Sequence, residues 1–104
     1  MKVRLLDIAE LELDDAWAWH EAQAPGLGER FLVEIRAGRD LIAAFPQSWH
    51  PLGDGVRRFR LKRFPYGMIY VADPAEIVVL AVAHHHRDPE YWRGRLARQT
   101  GAAL

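Results

Sequence analysis

The sequence predicts an α+β fold, in which an N-terminal strand and a helical hairpin pack on an antiparallel β-sheet, followed by a short C-terminal segment. Three observations predict it. Residues 56–92 read as three strand-like runs, VRRFRLKR, FPYGMIYVA and EIVVLAVAHHHRDPEYW, broken at Phe64-Pro65 and at Asp73-Pro74-Ala75. Residues 9–45 carry apolar side chains at helical spacing, with one break at Pro25-Gly26. Residues 2–6, KVRLL, form a β-compatible run ahead of them.

Each element follows from its residues. The KVRLL run is most simply an edge strand that joins the later sheet. Asp7 can cap a first helix, along which Ala9, Leu13, Ala16 and His20 fall on one face. That helix should end near Ala24, because Pro25 disfavours helix in the residue before it. A second helix begins near Gly28, with Phe31, Ile35, Gly38, Ile42 and Phe45 as its apolar stripe and Pro46 as its stop. Gly38 costs roughly 1 kcal/mol of helix propensity relative to Ala, which points to a close approach of another element there. Residues 46–55, with two Pro and two Gly, read as a loop. The run Ile77 to Ala83 is apolar on both faces, as a covered central strand would be. An α+β domain with the hairpin on one sheet face is the economical arrangement of this order.

Composition bounds the function. A chain of 104 residues, half of them hydrophobic, is enough for one core and too short for two, so we expect one domain over residues 1–98 and a flexible tail over 99–104. Without Cys there is no disulfide framework or thiolate metal site, which fits a reducing compartment. No signal peptide or membrane span is expected at the N-terminus, so the cytoplasm is the default location. The net charge of zero hides a split: residues 1–55 hold 5 Lys+Arg against 10 Asp+Glu, and residues 56–104 hold 9 against 4. Such a division suggests a basic face for an acidic partner, although the two halves could also neutralise each other in the fold.

The candidate chemistry lies in the basic half. Arg57, Arg58, Arg60, Lys62 and Arg63 crowd one strand, and alternation places Arg58, Arg60 and Lys62 on one face. Guanidinium groups grip phosphate and can stabilise charge at a scissile phosphate. The plainer reading is a solvated face that keeps a sheet edge soluble. Of His84, His85 and His86, the outer two point one way in a strand, about 7 Å apart, so at most two could share an ion. No metal and no cofactor are expected. Proton transfer suits imidazole better, as in cleaving RNA through its own 2′-hydroxyl. Tyr66, Tyr91, Trp92 and Trp49 are rings on which single-stranded nucleic acid could stack, with Tyr70 assigned to packing and Tyr91 or Trp92 to the surface. His20 reads as a core-edge residue, His50 as solvent-exposed, and Glu12, Asp14 and Asp15 as a solvated helix face.

Trp19-His20-Glu21, the run Pro25 to Leu32, Phe45-Pro46, Arg57-Arg58-Phe59, Arg63-Phe64-Pro65-Tyr66, Ile69-Tyr70, Leu80 to His84 and Arg87 to Trp92 together form a pattern. It resembles the RelE/ParE superfamily of bacterial toxin-antitoxin toxins, from about Ala9 to Arg95. The resemblance implies a small toxin with two N-terminal helices on an antiparallel sheet, neutralised by a cognate antitoxin that wraps it and lays acidic residues on its cations. It also implies one of two targets. RelE-like members cut messenger RNA at the ribosome without metal, whereas ParE-like members poison DNA gyrase. Carried over by position, Lys62 or Arg63 would be the cation at the transition state, and His86 or Arg87 with Tyr91 would form the C-terminal catalytic zone. The favoured expectation is a ribosome-dependent endoribonuclease acting on messenger RNA. In it Arg57, Arg58, Arg60 and Lys62 hold the strand, Trp92 stacks, and His84, His86 or Tyr91 moves the proton. The alternatives are a non-catalytic gyrase inhibitor and a toxin fold without toxicity. On any of these readings the cations and the imidazoles His84 and His86 converge on one open surface, and no membrane is involved.

Overall fold

The computed structural model describes residues 1–96 of the 104. Strand β1 (Val3–Leu5) leads into helices α1 (Asp7–Gln23) and α2 (Leu27–Ala44), followed by β2 (His50–Gly53), β3 (Val56–Arg60), β4 (Tyr66–Ala72), β5 (Ile77–His84) and one helical turn at 93–96. The expected tail at 99–104 lies outside the described residues. The five strands form one sheet in the order β1-β5-β4-β3-β2. β2, β3, β4 and β5 pair antiparallel, but β1 runs parallel to β5, so the sheet is mixed. The two parallel strands are joined by no tight turn but by the helical hairpin and the three antiparallel strands β2, β3 and β4, a connection long enough to bring β5 alongside β1 in the same direction. No described helix is long and apolar enough to cross a membrane.

The helices cover one face of the sheet. There Ala9, Ala16, Phe31, Ile35 and Ile42 pack on Phe59, Met68, Tyr70, Val79 and Val82. Gly38 marks the close approach: a Cβ there would stand 2.7 Å from Phe59 Cε1 and 2.8 Å from Met68 Cε, so α2 lies directly on the sheet. Tyr70 is fully buried, as expected of a packing residue, and its hydroxyl donates to the Pro46 carbonyl at 2.6 Å. Burial pushes its pKa up to about 12. The opposite face, which we call the back face, carries a smaller cluster of Val56, Ile69, Val78, Leu80, Ala81 and Trp92. Apolar residues on both sides of β5 thus reflect covers on both faces, the second made by the C-terminal segment.

Four local expectations are corrected. Asp7 is the first residue of α1 and not its cap; the N-cap position belongs to Leu6 and has no side-chain bond. Phe45 is 56% exposed beyond the end of α2, so the apolar stripe stops at Ile42. Residues 50–53 pair with β3 as an edge strand, with a register shift between Pro51 and Gly53. Pro is tolerated on such an edge, which is why two Pro and two Gly did not exclude a strand. Finally, β3 ends at Arg60, and Lys62 and Arg63 sit in the turn to β4.

Candidate functional site

The site grows from the end of β5 that β1 does not reach. β1 covers only Ile77 to Val79, so beyond them the outer edge of β5 has no strand neighbour among the described residues. A bulge adds to this: Ile69 pairs with Ala81 and Tyr70 with Val79, leaving Leu80 as the extra residue. Two side chains satisfy the exposed backbone. Glu12 of α1 accepts from Val82 N at 3.0 Å, and Arg95 donates to the Leu80 carbonyl at 3.1 Å. Glu12 and Arg95 also form a forked ion pair at 2.7 and 3.0 Å, with side chains only 15% and 14% exposed. The Tyr91 hydroxyl donates to Glu12 Oε2 at 2.9 Å, with the Arg87 and Arg95 guanidinium carbons 4.0 and 4.7 Å from its ring centre. Burial and the neighbouring Glu12 carboxylate raise the Tyr91 pKa far above its ordinary value. Glu12 is therefore a structural latch and not a solvated acid; Asp14 and Asp15 are exposed as expected. The signal was present in the spacing, since Glu12 lies three residues after Ala9 and four before Ala16, both buried.

Register decides which cations meet which imidazoles. Arg58 pairs with Ile69 and Arg60 with Gly67, and those positions pair with Ala81 and Ala83 on β5. Paired residues share a face, so Arg58 and Arg60 stand on the back face beside Ile69 and Ala81. Tyr66 pairs with His84 on the helix face, where the His84 ring lies 5.2 Å from Tyr66 and 5.0 Å from His86. The expected convergence of Arg58, Arg60 and Lys62 with His84 and His86 is therefore only partial: His84 borders the same cleft as Arg58, while Lys62 lies beside α2 and His86 is not among the residues lining the cleft. His85 is the imidazole that joins Arg58 and Arg60. His85 is exposed overall; partial desolvation, followed by the charge of Arg60, lowers its pKa from 6.5 and favours the neutral ring.

The other expected residues divide between structure and surface. Arg57 donates to the Trp49 carbonyl at 2.9 Å and to Gln47 Oε1 at 3.1 Å, which ties down the loop before β2. The backbone amides of Lys62 and Arg63 both donate to Glu34 Oε1, at 3.0 and 3.2 Å, and their side chains flank a groove beside α2, away from the back face. His84 Nδ1 accepts from the His86 amide at 3.0 Å, so that nitrogen is engaged in the turn. Trp92, expected to be a stacking ring, is 1% exposed and donates to the Pro89 carbonyl at 2.7 Å; it is core. Arg87 is exposed and borders clefts on both faces, one with Arg58 and His85, the other with Trp19, Tyr66 and His84. His20 is buried against Phe31, 4.7 Å between ring centres. His50 is exposed. Among the described residues no group of three or more His, Asp or Glu is placed to hold a metal ion.

The strand, helical hairpin and sheet that carry this site lie within residues similar to known proteins. Residues 3–89 match the family described as the ParE toxin of type II toxin-antitoxin systems, parDE. The chain belongs to the ParE toxin family. As a member it is the toxin half of a type II pair, and a cognate antitoxin is its partner. A solved structure described as a chromosomal ParDE TA system from P. aeruginosa is similar in fold, with a TM-score of 0.64, 18% identity, and coverage of 81% of this chain and 95% of that one. No curated protein matches the chain.

Proposed function

We propose that this ParE-family chain is a gyrase-directed toxin that acts by binding and not by cleaving RNA. The reading rests first on the family, whose ParE-like members are inhibitors of gyrase. The observation that carries it is the separation of the groups an RNA cleavage would need. Arg58, Arg60 and His85 share the back face, Lys62 and Arg63 lie beside α2, and His84, which also borders the Arg58 cleft, sets its ring edge-on against Tyr66 and His86 towards the helix face. Tyr91, the expected C-terminal catalytic residue, spends its proton on Glu12 and is held away from ionisation. With Tyr91 engaged and the basic residues divided between two faces, the cations suit a docking surface more than a proton relay.

Purified protein added to gyrase and relaxed plasmid is expected to stop supercoiling while leaving ribosome-bound messenger intact. Cut messenger with unimpaired supercoiling would overturn the reading. One observation favours the second reading, cleavage at the ribosome: His85 is biased toward the neutral form that a general base requires and has Arg58 and Arg60 beside it. His85→Gln separates the two, because only a ribonuclease would lose its activity with the imidazole.

A further inference from the structure

The back face of the sheet carries cations that the fold leaves without counter-charge. Among the described residues Arg58, Arg60 and Arg87 form no ion pair, whereas Arg93 and Arg95 each hold a carboxylate. Arg60 stands two residues beyond Arg58 along β3, on the same face and about 7 Å away. Burial and the charge of Arg60 both lower the Arg58 pKa, as crowding of two guanidinium groups without an anion should. No internal bond fixes Arg58 at Nε, which is buried and has no hydrogen-bond partner, so an external acceptor can turn the group without breaking one there. Gly67, opposite Arg60 in register, adds no side chain to the face. Of the residues lining the cleft beside Arg58, which include His84, His85, Arg87 and Tyr91, only Asp88 is acidic, and its Oδ1 accepts from the Glu90 amide at 2.9 Å.

What the face lacks narrows the class of anion. Apart from Met1, the large apolar side chains left exposed among the described residues, from Leu11 to Phe45, lie on the helical side of the sheet. A protein partner needs such anchors, and the back face offers charge in their place. Single-stranded nucleic acid needs rings on which its bases stack. Trp92 is core, and Tyr91 donates its hydroxyl to Glu12 and lies with Arg87 over its ring, so neither is free for a base. A duplex needs neither anchor nor ring: its bases are already stacked, and it presents one phosphate charge per about 1.7 Å of its axis. We propose that Arg58, Arg60 and Arg87 of the back face bind the phosphate backbone of duplex DNA without reading its sequence. Each guanidinium can hold a phosphate as a fork. The preference for a duplex comes from the face itself; DNA is named because gyrase, the proposed target, works on it, and that choice rests on the gyrase reading. On this account the toxin touches both the enzyme and the DNA the enzyme holds.

The test titrates a fluorescein-labelled duplex DNA of mixed sequence with the full chain and follows anisotropy at several KCl concentrations. Gyrase is absent, so a toxin that binds the duplex but leaves supercoiling intact refutes the target and not the contact. Three phosphate contacts predict that the logarithm of the association constant falls with the logarithm of salt at a slope of about −2.7. Arg60→Gln and Arg87→Gln, both at exposed positions, are each expected to make that slope shallower by about 0.9 and to weaken binding at low salt by at least about fivefold. Arg39→Gln, an equal loss of charge at an exposed position of α2, should change neither. A single-stranded oligothymidylate should bind less tightly than the duplex. Absence of binding, an effect of Arg39→Gln as large as that of Arg60→Gln, or tighter binding of the single strand or of a duplex RNA of the same sequence would overturn the proposal.

Discussion

Glu12 shows how much one side chain can hold. It accepts from a strand amide, a phenol and a forked guanidinium, and so joins α1, the free edge of β5 and the C-terminal turn. Glu12→Ala leaves Arg95 without its anion in a largely buried place, and a loss of about 3 kcal/mol is expected in urea unfolding. A loss under about 0.5 kcal/mol would mean that water serves as well. Tyr91→Phe removes one bond from the same network and should cost about 1 kcal/mol. His85 gives a pH signature. Its folded pKa lies below the ordinary 6.5, so the unfolded chain takes up its proton first and stability falls as pH drops through that value. His85→Gln should lessen the fall in Tm between about pH 7.5 and about pH 5.5; an unchanged fall would place the titration elsewhere. At this scale the sequence was legible where residues packed, as at Tyr70 and Gly38. It misled where residues bonded, because Glu12 and Trp92 owe their places to partners 70 or more, and three, residues away.

Among the elements, the helices, β4 and β5 could be read from their apolar patterns, since each buries apolar side chains of its own, and β3 from the interleaving of Val56 and Phe59 with arginines. β2 could not, because an edge strand with a bulge needs no apolar alternation and tolerates Pro. Nor could the parallel direction of β1, which depends on the number of chain reversals between it and β5 and not on KVRLL itself. Register was the costliest omission. Alternation placed His84 and His86 together and His85 opposite, but only the pairing of Arg60 with Gly67 and Gly67 with Ala83 says which side meets Arg58. Two glycines test these contacts. A Cβ at Gly67 meets backbone, the Phe59 carbonyl oxygen at 2.8 Å, whereas one at Gly38 meets the ends of the Phe59 and Met68 side chains. Gly38→Ala also gains roughly 1 kcal/mol of helix propensity. Gly67→Ala is therefore expected to cost at least about 1 kcal/mol more than Gly38→Ala in chemical denaturation, and the reverse order would refute the packing described.

For the whole molecule, the charge division resolves into two parts. Some acids of the first half meet bases of the second, as Glu12 meets Arg95 and Asp54 meets Arg93 at 2.9 Å. Arg57 and the Lys62–Arg63 turn are held by neutral or backbone contacts. On the back face this leaves a compact cationic surface of Arg58, Arg60 and Arg87 around one cleft, while the Lys62 and Arg63 side chains stand apart beside α2, so the ladder of five that the strand suggested is divided. A toxin that works by docking should lose its effect when that surface changes sign, with no loss of fold. The direct measurement is inhibition of gyrase supercoiling by the wild type and by Arg60→Glu, an exposed substitution. At least a tenfold higher concentration of the variant is expected for equal inhibition, with unchanged Tm. Equal potency, or a wild type that leaves supercoiling intact, would contradict it.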